Sequence, residues 1–455
     1  MSIREVAGKA VTLAERLGAD EAEAYVTDSI EKTVNFHEKI ENGRASHLVG
    51  IGVRVVLGRR KGFFSISSIV SKDVENVVKK AIAIARASRP DPNWRNFPRK
   101  TGKRSVTGVY DKKTAESEMS DLVKKAIEII DEIKGKDSRL NPTTSALGTS
   151  RTRTAISNSH GCDSTRRSTS ASFFVQVKAE EAGKKSVSIE GRQARTWKEL
   201  QFGEAVASAT DRAIKMLDAR RIPGKKTSII FTNDLMSSIL GVMFSRTVSA
   251  EAIQRGRSPW IGKVDHRVAS DNFSLFDEGL RQGGLGTRAF DDEGVPQRTT
   301  RIIEKGILKS YLYDSYTASK DGVASTGNAS RIASGLGSTG PYAQIPTPAP
   351  NNLILKPGDA SIDELIEDTQ KGLYVIECIG EWLSNPISGL LNATVTNAFE
   401  VRNGTISEPV KGVVVSGHFF DIMKNSISLI GDDVQNSGNV YAPSVRISEM
   451  TVAGE

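Results

Sequence analysis

Over the first ninety residues the spacing of apolar side chains switches from a helical period to alternation and back again. Ser2 and Glu5 stand at capping-box spacing, Val6, Ala10, Leu13 and Leu17 share one stripe, and Gly18 supplies a C-terminal stop, which together predict a helix. Ala22, Ala24 and Val26 then alternate, as do Val34 and Phe36, and later Val49, Ile51, Val53 and Val55. Asn42-Gly43 predicts a hairpin turn between these runs, and Gly58–Lys61 a second turn before Phe63-Phe64. From Asp73 to about Ala87, Val74, Val77, Val78, Ala81 and Ala85 return to one helical face. The proline-rich, basic stretch Arg89–Val109 has no period and reads as a loop. The same order then recurs. Met119, Leu122, Val123, Ala126, Ile130 and Ile133 predict a helix, strands are expected near Thr144–Asn158, Thr169–Lys178 and Ser186–Ala194, and Val206, Ala213 and Leu217 a closing helix.

Pro223-Gly224-Lys225-Lys226 marks a boundary, giving an N-terminal domain over 1–222 and a second domain over 227–455. Beyond it, Ser228–Phe231 reads as a strand and Leu235–Val248 as a helix capped by Asn233 or Asp234. Short strands and glycine turns follow, including Glu304-Lys305-Gly306 and Asn403-Gly404, with one helix carrying Ile362, Leu365 and Ile366. The expected fold class is α+β. Its N-terminal domain would hold two helix–antiparallel strands–helix units, and its C-terminal domain mainly antiparallel β-sheets with a few helices.

No stretch approaches the roughly 20 apolar residues of a membrane span. The charged, amphipathic start lacks the apolar core of a signal peptide, and the two cysteines are isolated, so a reducing cytoplasm is the expected compartment. The net charge of +8 is spread among interspersed acids, with short basic clusters such as Arg166-Arg167, and predicts a solvated surface more than nucleic-acid binding.

Five histidines can be checked one by one. His37-Glu38 completes no HExxH or HExxxH pattern, His47 lies across the predicted hairpin from it, and His266 and His418 are isolated. His160, Cys162 and Asp163 bring three ligand types together in a Ser/Gly-rich turn but lack further donors at ligand spacing. Gly335-Leu336-Gly337-Ser338-Thr339-Gly340 fits G-x-G-x-x-G without the strand before it or the helix after it that a dinucleotide site needs. Asp291-Asp292-Glu293-Gly294 is the densest acidic group; such carboxylates suit a cation or a peptide amine, and also an ordinary solvated turn.

Ordered phrases in the second domain carry a further signal. Phe290-Asp291-Asp292-Glu293-Gly294-Val295-Pro296 is followed by Ile303–Tyr311, Asp314-Ser315-Tyr316-Thr317-Ala318, Thr326-Gly327-Asn328, Phe399–Gly404, Glu408-Pro409-Val410 and Val415-Ser416-Gly417. In these the chain resembles the TldD/PmbA family, also called modulators of DNA gyrase, strongly after Thr227 and weakly before it. The resemblance implies a two-subunit cytoplasmic protease acting on unfolded or small peptides. Its TldD-type subunit holds a metal, zinc or another divalent ion, on a His-Glu-x-x-x-His helix with a cysteine near its C-terminus. Its TldE (PmbA) type lacks these residues and pairs with TldD to enclose the site.

Registered on Ala250–Gly256, that metal motif falls on Gly241-Val242-Met243-Phe244-Ser245-Arg246, with neither histidine nor the glutamate, and Asn436–Asn439 contains no cysteine. The expectation is therefore a TldE-type subunit with no catalytic or metal-binding residue and no cofactor of its own. Gly241, Val242 and Arg246 would mark the lost motif, and Asp291, Asp292, Glu293 and Asn328 would be cavity or substrate contacts. Its partners would be a TldD-type subunit and unfolded peptide, with a homodimer when alone and no membrane. Two alternatives stand beside it: an independent metallopeptidase using His160, Cys162 and Asp163, and a nucleic-acid or gyrase-associated binding protein.

Overall fold

The computed structural model describes residues 1–99, 101–331 and 340–454, so most of the G-x-G-x-x-G stretch lies outside the described residues. Helix α1 (Ile3–Arg16) starts on the capping box: Ser2 Oγ accepts from the Glu5 N–H and the Glu5 carboxylate accepts from the Ser2 N–H. Strands β1 (Glu21–Phe36), β2 (Ile40–Leu57) and β3 (Arg60–Ile66) follow, then α2 (Ser71–Ala87). After the irregular stretch come α3 (Lys112–Glu116), α4 (Met119–Lys136), β4 (Leu140–Pro142), β5 (Ser145–Asn158), β6 (Asp163–Glu181), β7 (Lys184–Ala194) and α5 (Phe202–Lys215). The seven strands form one antiparallel sheet in the order β3-β2-β1-β5-β6-β4, with β7 also paired to β6.

The first hairpin turn differs from expectation. It lies at His37–Lys39, where the His37 N–H donates to the Lys39 carbonyl, and Asn42-Gly43 stands inside β2 opposite Asn35 and Val34. Asn35 Nδ2 donates to Asn42 Oδ1 at 3.0 Å. A Cβ at Gly43 would stand 3.1 Å from the sulfur of Met119 on α4, so helix packing and not turn geometry uses this glycine.

Alternation gives the sheet two distinct faces. On one, Ala22, Ala24, Val26, Ile51 and Val53 pack under α1 and α2, and Val34, Phe36, Leu147, Phe173 and Val175 under α4 and α5. Each fully buried aliphatic side chain contributes roughly 1.5–3 kcal/mol, so this face supplies most of the stability of the first half. The other face carries Glu23, Tyr25 and Thr27 on β1, with Arg54, Gly52 and Gly50 opposite them on β2. It is closed by the second half of the chain. A Cβ at Gly52 would lie 2.0 Å from the Tyr342 carbonyl oxygen and one at Gly50 2.6 Å from its ring, so both positions must be bare for Tyr342 to seat.

The second half opens with β8 (Lys225–Phe231), α6 (Asn233–Phe244) and α7 (Ala250–Gln254). Next are β9 (Leu275–Glu278), β10 (Thr299–Glu304), β11 (Ile307–Leu308), α8 (Ser315–Asp321), β12 (Ala329–Ser330), β13 (Thr347–Pro348), β14 (Leu353–Leu355) and α9 (Ile362–Glu367). It finishes with β15 (Lys371–Ile379), β16 (Leu390–Arg402), β17 (Thr405–Val410), β18 (Val413–His418), α10 (Phe419–Asn425), β19 (Ile427–Ile430), β20 (Gln435–Ser437), β21 (Val440–Ala442) and β22 (Val445–Ala453). Pairing runs β15-β8-β22-β18-β16-β17, and β15 also pairs with β16, so five of these strands close into a ring. A second sheet runs β11-β10-β9-β14-β21-β20. Among the described strands, isolated bridges aside, only β8–β15 and β14–β21 pair in parallel, which makes the chain α+β with mainly antiparallel sheets, as the periodicities imply. The expected Asn403-Gly404 turn joins β16 to β17, with both residues at positive φ. Among the described residues no helix is long and apolar enough to cross a membrane.

Candidate functional site

Helix α6 holds Gly241–Phe244, the first four residues of the stretch onto which the resemblance registers a metal motif. Leu235, Met236, Ile239, Leu240, Met243 and Phe244 are buried in the core shared with the ring, so the run is helical because one broad apolar face is swallowed by its surroundings. It ends at Phe244, earlier than the expected Val248. Gly241 and Val242 are therefore helical and half-buried, whereas Ser245-Arg246 lie in the following turn with Arg246 exposed. Strands β20 and β21 lie alongside: Ser237 Oγ donates to the Gln435 carbonyl at 3.0 Å, and a Cβ at Gly241 would meet Val440 Cγ2 at 3.5 Å. The fold thus brings the α6 stretch and the Asn436–Asn439 turn to neighbouring elements. Neither offers a metal donor set. Gly241 has no side chain, Val242 is apolar and Arg246 is a permanent cation, so these residues do not fit a metal ion.

Beside the N-terminal half of α6 is a cleft of about 640 Å³ between β6–β7 and the end of β15, with Asp234, Ser238, Cys378, Trp382 and Asn436 among its walls. Charge pairs fasten its base. Arg212 of α5 pairs with Glu190 and, at 3.2 Å, with Glu377 of β15. Burial raises the Glu377 carboxyl above the usual range, against the opposing pull of Arg212. Of the cleft's walls Ile379 and Trp382 are exposed, and Leu383, Ile387 and Leu390, which follow in the chain, are exposed too, Leu383 at 79%.

Asp291, Asp292 and Glu293 lie elsewhere and are not a solvated turn. They are 0%, 3% and 1% exposed, sealed between the second face of the first sheet and the loops of the second half. Asp291 accepts from the N–H groups of Glu293, Val295 and Ala329. Asp292 pairs with Arg166 and, at 3.1 Å, with Arg288, and accepts from the Arg331 N–H. Glu293 accepts from Arg54 at 3.0 Å and from the Ser315 N–H at 2.9 Å. Glu23 completes the group by accepting from Arg54 Nε at 2.9 Å and from Arg331. Burial, with Glu293 close by, pushes the Asp291 carboxyl up. Burial also opposes ionisation of Asp292, but Arg288 and Arg166 prevail and hold it far below the usual carboxylate range.

Asn328 is buried one layer deeper in the second half. Its Nδ2 donates to Asp277 at 2.6 Å and to the Ala349 carbonyl at 3.0 Å. Asp277 also accepts three N–H groups from Asn351 and Asn352, yet burial raises its carboxyl to about 6. His160, Cys162 and Asp163 point to separate partners. His160 Nε2 is 3.2 Å from Glu21, and Asp163 takes a forked pair from Arg4 at 2.8–3.0 Å. Cys162 is buried, its thiol pushed up to about 12 by burial, and packs where a Cβ on Gly294 would stand 2.4 Å from its sulfur. Among the described residues no three His, Cys, Asp or Glu side chains gather as a metal-ligand group. No sequence spacing links the arginines that hold the acidic turn to it; Arg166 stands out only as part of a short basic cluster.

Comparison with known proteins agrees with this architecture. Residues 224–454 match the PmbA/TldA metallopeptidase C-terminal domain, 22–85 its domain 1 and 112–217 its central domain. An uncharacterised protein of Methanocaldococcus jannaschii is 27% identical, covering 96% of this chain and 97% of its own length. The Metalloprotease PmbA homolog of Haemophilus influenzae is 26% identical, covering 99% and 96%. The crystal structure of TldE from Thermococcus kodakarensis shares the fold at a TM-score of 0.90 and 20% identity, over 99% of this chain and all of that one. This chain belongs to the PmbA/TldD metallopeptidase family.

Proposed function

We propose that this chain is a metal-free, catalytically silent TldE-type subunit that pairs with a metal-bearing TldD-type subunit and helps enclose the chamber where unfolded peptides are cut. The observation that carries this reading is the absence of a metal donor at Gly241, Val242 and Arg246, where the metal motif registers. A hydrolytic metal both polarises the scissile carbonyl and generates hydroxide near neutral pH, and Gly241, Val242 and Arg246 can support neither task. Five exposed apolar side chains between Ile379 and Leu390, Trp382 and Leu383 among them, support a partner-facing role, because large exposed apolar residues gathered in one segment suit an interaction surface.

A mixing experiment tests the proposal. Unstructured peptides are incubated with each subunit alone and with both together, with and without a chelator. Cleavage only in the mixture, abolished by chelator, is the expected result. Chelator-sensitive cleavage by this chain alone would overturn it, as would full activity of the TldD-type subunit without it.

A further inference from the structure

A cavity of about 430 Å³ lies between the second face of the first sheet and the loops that carry the acidic turn, apart from the α6 cleft. Its described walls hold five arginines (Arg166, Arg167, Arg195, Arg288 and Arg331) but one carboxylate, Asp292. That carboxylate is already shared by Arg166 and Arg288, and Arg331 is committed to Glu23. Arg195 is 5% exposed, and its guanidinium donates only to the backbone carbonyls of Gly284, Leu285, Thr287 and Thr169. No described carboxylate lies within ion-pair reach of it. Burial, with Arg288 and Arg166 nearby, lowers its pKa to about 10, so it remains a cation at neutral pH. Arg167 stands exposed at the mouth, 4.0 Å above the Tyr110 ring.

Buried cations are ordinarily matched by counter-charge, and buried N–H groups by acceptors. Here both rules are left open at one place. The Nε of Arg288 and the Nε of Arg331 are buried with no hydrogen-bond partner, and both arginines line this cavity. The sheet side adds hydroxyls: Thr27, Thr154 and Thr152 on β1 and β5, and Ser168 on β6. What the walls lack is negative charge to match their guanidiniums, since Asp292 is their one carboxylate and is already shared. We propose that this cavity binds a small ligand through an oxyanion, a carboxylate or a phosphate group, which accepts from the free Nε–H groups of Arg288 and Arg331. Arg195 contributes field without a bond of its own, Arg167 guides the anion in, and the threonines complete the shell. The volume falls in the range of small-molecule sites.

The test uses the full chain at low ionic strength. Binding and melting temperature are measured against inorganic phosphate in one arm, and in the other against a short peptide with a free C-terminus and its amidated counterpart. Phosphate binding identifies a phosphate ligand. Binding of the free-acid peptide, without its amide, identifies a carboxylate. Either supports the site if Arg288→Gln weakens it at least tenfold. Arg167→Gln serves as a second variant that leaves the buried network intact. It should melt higher than wild type without anion, because like charges are thinned, and gain less when anion is added. The site is overturned if neither anion binds at millimolar concentration, or if both variants bind as wild type does.

Discussion

Glu23→Gln should unfasten the two halves of the molecule. Glu23 is fully buried on β1 and is the anion for two cations: Arg54 on the adjacent strand and Arg331 from the second half. Arg54 keeps Glu293 at 3.0 Å after the change, so its loss is partial. Arg331, itself 2% exposed, has no other described carboxylate in ion-pair range, and the new amide would point a donor at a guanidinium. Unpairing a buried ion costs about 3–5 kcal/mol; with one cation half-compensated, about 4 kcal/mol is expected, roughly a thousandfold in the folding equilibrium. With a urea m-value of about 3 kcal/mol/M or more for a chain of this size, the midpoint should fall by about 1 M. Urea unfolding followed by tryptophan fluorescence measures it, with Lys79→Ala, from an exposed helix pair, as a control expected to shift by less than about 0.5 kcal/mol. Adding Arg331→Met should recover part of the loss by removing the stranded cation. A Glu23→Gln midpoint within error of the control would refute the view that this network latches the halves.

Trp382→Ala or Leu383→Asp in the exposed apolar segment should leave the isolated chain as stable as wild type and weaken its association with a TldD-type subunit tenfold or more, measured by calorimetry; unchanged affinity would move the contact elsewhere. Gly52→Ala should destabilise by about 3 kcal/mol in thermal unfolding, since its Cβ would collide with the Tyr342 backbone, and a neutral result would mean that this seat is loose. Stability should rise as pH falls from 8 toward 5. Asp277 titrates at about 6 when folded, and Asp291 and Asp314 are also raised, chiefly by burial, so the folded state binds more protons than the unfolded one in that window and loses stability as pH rises through it. Asp314→Asn keeps the acceptor that caps α8 and should flatten this slope; a slope of opposite sign would show that other groups dominate.

Local features were legible in the sequence where neighbours in the chain decide the structure. The Ser2/Glu5 box, the stripes of α1 and α2, the alternation of β1 and β2 and the Asn403-Gly404 turn all depend on residues a few positions apart. Asn42-Gly43 misled because the same glycine that suits a turn also admits Met119, more than seventy residues away. The acidic turn is the sharper case. Asp291-Asp292-Glu293 looks solvated or ligand-binding until Arg54 and Arg166 arrive from distant strands, and no spacing rule links them. For α6 the resemblance supplies the register, and what the sequence contributes is residue type: Gly241, Val242 and Arg246 carry no metal donor.

The closed ring constrains how the molecule can be made on a ribosome. Strand β8 is synthesised first among its members, yet its two neighbours are β15 and β22, both far downstream. Until they emerge, a strand with apolar Ile229, Ile230 and Phe231 has both edges unpaired. Folding of this half is therefore dominated by late, long-range closure and is intrinsically slow. A chain cut before β22 would keep most of its contacts and still present an open, sticky edge, so premature termination should yield aggregates instead of a partly folded monomer.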